Sequence, residues 1–229
     1  MSDARTDSSA RVEQRMRDAG LPADTLGARR AALPAAVQEL HRRVLTSIAT
    51  NGQPPADAVL ATDAASLGVD LGAALDALAR DELLFVTPDR RGVLGGVPFA
   101  AGPTAHQVFV HDGPTVSANC AVDALGIGAM LGRDTDVASA DPLSGEPVTA
   151  SERGGQWTWE PAGAVVFVGS SGDGAITDAC CPVINFFASE TNARDHQRSR
   201  GLTGDVLTMP EAAQAGVLVF GRLLAGPTP

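Results

Sequence analysis

Apolar residues first recur at helical spacing just after Leu33. Val37, Leu40, Val44, Leu45 and Ile48 mark one face of a helix that the stretch "NGQPP" brings to an end. Two shorter helices are predicted next: "ADAVLATDAASLG", broken near Thr62, and "DLGAALDALARD", with Asp70 as its N-cap. In "LLFVTPDRRGVLGG" two short apolar runs flank a Pro-Asp-Arg-Arg-Gly turn, the pattern of a β-hairpin. Three helices and a hairpin predict a winged-helix-like domain over residues 31–97. Residues 1–30 are expected to be a flexible or loosely helical extension.

The pattern changes after a Gly/Pro-rich link, "GGVPFAAGPTAH". A strand ("HQVFV") and an apolar helix ("NCAVDALGIGAMLG") precede a strand–turn–strand in "VASADPLSGEPVTASE". "GAVVFVGSS" is a central apolar strand and "CPVINFFAS" a further strand. "SETNARDHQRSRG" is a polar helix closed by Gly201. The last helix, "TMPEAAQAGVLVFGRLLAG", opens with a capping box of Thr208 and Glu211 and has Pro210 in its first turn. The predicted class is α+β, a winged-helix-like three-helix domain followed by a mixed α/β domain with antiparallel strands over residues 104–226.

Composition narrows the functional classes. A chain of 229 residues can bury a substantial core. It has no apolar run of about 18 residues or more, so no transmembrane helix is expected. The polar start, "MSDARTDSSARVEQRMRDAG", shows no secretory h-region, which makes the cytoplasm the expected location. Net charge is −10 and lysine is absent, a poor match to nucleic-acid phosphates. The candidate recognition helix carries Asp70, Asp76, Asp81 and Glu82 against Arg80, so a structural or docking role is expected of that domain rather than DNA binding.

Three cysteines are too few for a disulfide framework and point to metal or thiol chemistry. Cys120 opens the apolar helix, and Asp123 lies three residues on, on the same face. Apart from Asp123, residues 120–131 are apolar or glycine. A carboxylate in such a helix needs a reason, because burial without a partner costs several kcal/mol or forces protonation. Either it caps a loop or pairs with an arginine such as Arg133, or it is a protonatable acid held beside a thiol.

Cys180 and Cys181 are adjacent, and Pro182 biases Cys181 towards extended backbone. In an extended segment the two side chains point to opposite faces, so only one of them can serve a given site. Two thiols and a carboxylate are too few for a structural zinc site and suit a soft ion such as Hg(II) or Cu(I).

"NCAVDALGIGAMLGR", "VASADPLSGEPV", "EPAGAVVFV" and "CCPVINFFAS", in that order, resemble the bacterial organomercurial (alkylmercury) lyases. The likeness runs over roughly residues 34–225, with its specific motifs in the second half. It implies that Cys120 and Asp123 are the first catalytic cysteine and the catalytic aspartate. Counting back without a gap from Phe186-Phe187 selects Cys181 as the second catalytic cysteine, with Cys180 at most accessory. Asn119 stands where the family can have an aromatic residue, and Asp141 where some members carry a further cysteine. The implied reaction is protonolysis, R–Hg⁺ plus H⁺ giving RH and Hg²⁺, with the metal on Cys120, Cys181 and Asp123. The implied partners are organomercurials, low-molecular-weight thiols needed for turnover and mercuric reductase, with no organic cofactor and no membrane or DNA. The competing possibilities are a thiol-based metal-binding regulator, a lyase-like paralogue with other soft-metal or thiol chemistry, and a scaffold with core cysteines.

Overall fold

The computed structural model describes residues 2–172, 174 and 176–224. Five helices lead: α1 (Ser2–Asp18), α2 (Thr25–Ala31), α3 (Ala35–Asn51), α4 (Asp57–Ser66) and α5 (Leu71–Arg80). The face predicted for α3 is buried from Val37 to Ile48, and Gly52 closes the helix in the left-handed region. Asp70 caps α5, its carboxylate accepting from the Ala73 amide at 2.8 Å. α4 is continuous where a break near Thr62 was expected. The Thr62 hydroxyl donates to the Ala58 carbonyl at 2.8 Å and leaves the helical ladder intact. The hairpin follows as β1 (Leu84–Val86) and β2 (Val93–Gly96).

Two antiparallel sheets form the second half. β3 (Gln107–Val110), β4 (Thr115–Ser117), β5 (Thr135–Ala140), β6 (Pro147–Arg153) and β7 (Gln156–Glu160) are ordered β4-β3-β5-β6-β7. The other sheet is ordered β10-β8-β9, from β8 (Val165–Ser170), β9 (Asn185–Phe187) and β10 (Thr203–Thr208). Its middle strand, β8, is the apolar "VVFVGS", buried along nearly its whole length. Four helices complete the fold: α6 (Ala121–Leu131), α7 (Ile176–Ala179), α8 (Glu190–Arg200) and α9 (Met209–Phe220). The Thr208 amide and hydroxyl both donate to the Glu211 carboxylate at the start of α9, at 2.9 and 2.8 Å. α9 ends at Phe220, before the expected Gly226, and residues 225–226 of the expected domain lie outside the described residues. The pattern also missed β4, β7 and β10.

Within the stretch expected to be a flexible or loosely helical extension, the described residues form α1 and α2, which dock on the second half. Val12, Met16 and Ala19, spaced four and three apart, are buried. Arg15 ties α1 down, donating to Asp205 at 2.7 and 2.9 Å, to Glu211 at 2.7 Å and to the Val206 carbonyl at 2.7 Å. One continuous core then runs from α1 to the end of α9.

Helix α6 is seated by a crossing with α9 in which neither helix has room for a side chain. A Cβ on Gly126 would stand 2.3 Å from the Phe220 ring and 2.9 Å from the Gly216 carbonyl oxygen. One on Gly216 would stand 2.8 Å from the Gly126 nitrogen. Gly126→Ala is expected to lower stability by roughly 1–3 kcal/mol through overpacking, despite the better helix propensity of alanine. Urea denaturation measures this; an unchanged or raised midpoint would contradict the packing.

Candidate functional site

The site begins where β4 gives way to α6. Asn119 is fixed twice to the Pro98 carbonyl, by its amide nitrogen at 3.2 Å and its side-chain nitrogen at 3.1 Å. Cys120 is the N-cap of α6, and its sulfur accepts from the Asp123 amide at 3.4 Å. A thiol here replaces the usual hydroxyl or carboxylate cap and lies at the positive end of the helix dipole. Asp123 follows one turn on, facing the same way.

The second thiol comes from a turn. Cys180 and Cys181 follow α7 immediately, and the Cys180 carbonyl accepts from the amides of Val183 (3.0 Å) and Ile184 (3.1 Å). This corrects the extended segment expected around Cys181: β9 starts only at Asn185. Both cysteines are buried and unbridged. Cys181 nonetheless meets Cys120 and Asp123, with one ligand atom from each lying within 4.8 Å of the others. Cys180 is not part of that cluster. The Ala121 amide donates to the Ile184 carbonyl at 3.1 Å, pinning the cysteine turn to the start of α6.

Burial dominates the electrostatics. It pushes the Asp123 carboxyl up to about 7, against hydrogen bonding from the Asn119 side chain and from Cys120. One Asp123 oxygen, Oδ2, has no hydrogen-bond partner among the described residues. The alternative of an arginine partner fails: Arg133 donates to the His111 carbonyl and lies past the far end of α6. The Cys120 thiol is also pushed well above its ordinary value, first by burial, then by hydrogen bonding with Cys181 and the Asp123 charge. Burial and the neighbouring Cys181 and Glu82 raise Cys180 as well.

The cluster opens on a cavity of about 210 Å³, and part of its wall comes from the N-terminal helices and the loop between them: Met16, Leu21 and Leu26 face it, as does Arg29. None of these four was marked by sequence reasoning. Asp141 is not in the cluster. Its buried carboxylate receives the amides of Leu143 (2.8 Å), Ser144 (3.2 Å) and Ala188 (3.0 Å) and the Asn192 side chain at 2.7 Å, bracing the segment just after β9.

A fold of two antiparallel sheets with two thiols and a carboxylate around one buried point defines a class, and comparison with known proteins agrees. Residues 99–221 match the family model for alkylmercury lyase, and the chain belongs to that family. It is 34% identical over 143 residues to an alkylmercury lyase of Streptomyces lividans, across 62% of this chain and 66% of that protein. An alkylmercury lyase of Bacillus cereus is 32% identical over 136 residues, 58% of this chain and 62% of its own length. The fold is shared with the mercury-bound form of MerB2 in its crystal structure, at a TM-score of 0.74 and 22% identity over 89% of this chain and 98% of that one. Among the described residues, no single helix is long and apolar enough to cross a membrane.

Asp123 has a stability consequence. Its carboxyl binds a proton more tightly folded, at about 7, than in an unfolded chain, at about 3.9, so its contribution is full at low pH and lost as pH rises through 7. Asp123→Asn should therefore melt higher than the wild type at pH 8, with the gap narrowing at pH 5. A gap that widens at pH 5 would refute the protonated carboxyl.

Proposed function

We propose that this protein is an organomercurial lyase that cleaves carbon–mercury bonds by protonolysis. The observation behind the proposal is the Cys120–Asp123–Cys181 cluster, buried and bordering an apolar cavity. Mercury prefers soft sulfur donors, and two thiolates satisfy it. For a mercurial carried on a small thiol, the balanced reaction takes the two protein thiols and R–Hg–SR′ to the mercury dithiolate, RH and HSR′. The two protons displaced from sulfur end on carbon and on the departing thiol.

Carbon is a very poor leaving group as a carbanion and must be protonated as its bond to mercury breaks. Asp123 suits that task. A carboxyl raised to about 7 can take the proton from Cys120 and give it up again at neutral pH. The apolar surroundings keep bulk water from competing for that proton. Cys120, at the start of α6, takes the metal first; Cys181 completes the pair and, by donating electron density, weakens the carbon–mercury bond.

The same reading assigns the surroundings. Residues 31–97 form a winged-helix-like unit, supported by α3–α5 followed by the β1–β2 hairpin, and the acidic residues capping α5, Asp70 and Asp81, suit docking better than DNA. Residues 104–226 form the catalytic domain. The enzyme works in the cytoplasm with low-molecular-weight thiols, requires no organic cofactor, and hands Hg²⁺ on to a carrier thiol or mercuric reductase.

Incubation with phenylmercury and excess thiol should release benzene. Asp123→Asn should lower that rate by about 10²–10⁴-fold while still retaining mercury. Cys120→Ala and Cys181→Ala should abolish it, and Cys180→Ala should keep it. No benzene from the wild type would refute the lyase assignment; benzene from Cys181→Ala but not Cys180→Ala would reverse the choice of second thiol.

A further inference from the structure

Among the described residues that border the cavity, Arg29 of α2 is the one cation, and the cleavage chemistry has no use for it. Both of its hydrogen bonds leave from Nη1, one to the Glu82 carboxylate and one to the Asp81 carbonyl at 3.4 Å. Nε and Nη2 bond to nothing among the described residues, and the side chain keeps 35% of its surface exposed. A guanidinium edge of that kind, with two parallel N–H groups held in a plane, is the shape that receives a carboxylate bidentately. Glu82 holds the arginine in place from the other edge. It does so from a left-handed backbone, φ 58°, which costs a non-glycine residue about 1 kcal/mol or more. Glu82 also acts electrostatically on Cys180, so the ion pair lies near the cysteine turn.

The net charge of −10 repels anions in general, so an anionic ligand needs a local cation to enter. We infer that Arg29 is a specificity-determining residue that seats a carboxylate carried by the mercurial, either on the thiol that delivers it or on its organic group. This rests on the lyase reading and names the class of substrate that the site favours.

Three adducts separate the alternatives: phenylmercury on 2-mercaptoethanol (neutral), phenylmercury on 3-mercaptopropionate (carboxylate on the thiol), and 4-carboxyphenylmercury on 2-mercaptoethanol (carboxylate on the organic group). Steady-state release of the hydrocarbon gives kcat and KM for each. The wild type should favour at least one carboxylate adduct over the neutral one through KM, and that selectivity ratio should fall about tenfold in Arg29→Ala, as for a lost charge-assisted hydrogen bond. Arg29→Lys should keep part of it. In the wild type the same ratio should drop as sodium chloride rises from 50 to 500 mM, a readout that needs no variant. The adduct that shows these effects identifies where the carboxylate resides. Ratios that are unmoved by salt, or within twofold of wild type in a folded Arg29→Ala protein, would overturn the assignment. Failure of the wild type to cleave even the neutral adduct would instead overturn the lyase reading beneath it.

Discussion

A carboxyl group with no cation paired to it among the described residues, sunk into the first turn of an otherwise apolar helix, is the constraint around which this molecule is built. Asp123 cannot stay ionised there at little cost, and one of its oxygens has no partner among the described residues. What keeps it in place is the quality of the packing on every other side. α6 is buried along nearly its whole length, and its crossing with α9 leaves no gap at Gly126 and Gly216 into which the helix could shift. The penalty at one residue is held by close contact over many.

That arrangement explains why the second thiol can arrive on a short turn. The Ala121–Ile184 hydrogen bond fixes the distance between the start of α6 and the segment after Cys181. Asp141, with four donors converging on its carboxylate, secures the chain just beyond β9. A cysteine on a loosely held loop could not be kept beside the acid. Here the chain leaving the turn is anchored twice, once to the acid's own helix and once to a buried carboxylate of a different kind, kept charged by its hydrogen bonds.

Much of this was legible in the chain. Helical periodicity gave α3, the cap at Asp70 gave α5, and one aspartate among apolar residues identified α6 as exceptional. The motif order pointed to the family and to the three residues that the fold draws together. Other features escaped for physical reasons. β10 and β7 are rich in polar residues and lack an apolar run, so both resemble loops. α1 has only a thin stripe, Val12 and Met16, continued by Ala19 just past its end, in a strongly polar segment, and its attachment depends on Arg15 reaching residues some 190 positions away. The turn at Cys180–Cys181 defied the expectation drawn from Pro182 because the backbone closes on Val183 and Ile184, which a rule about neighbouring residues cannot anticipate.

The cavity wall has an inheritance of its own. Cys120, Asp123 and Cys181 all fall within residues 99–221, the stretch that matches the family, whereas Met16, Leu21, Leu26 and Arg29 fall outside it. Under the proposed function, bond breaking and admission fall in separate stretches of the chain. A lineage facing a new mercurial could rewrite a few codons in its first 30 and leave the thiols and the acid untouched.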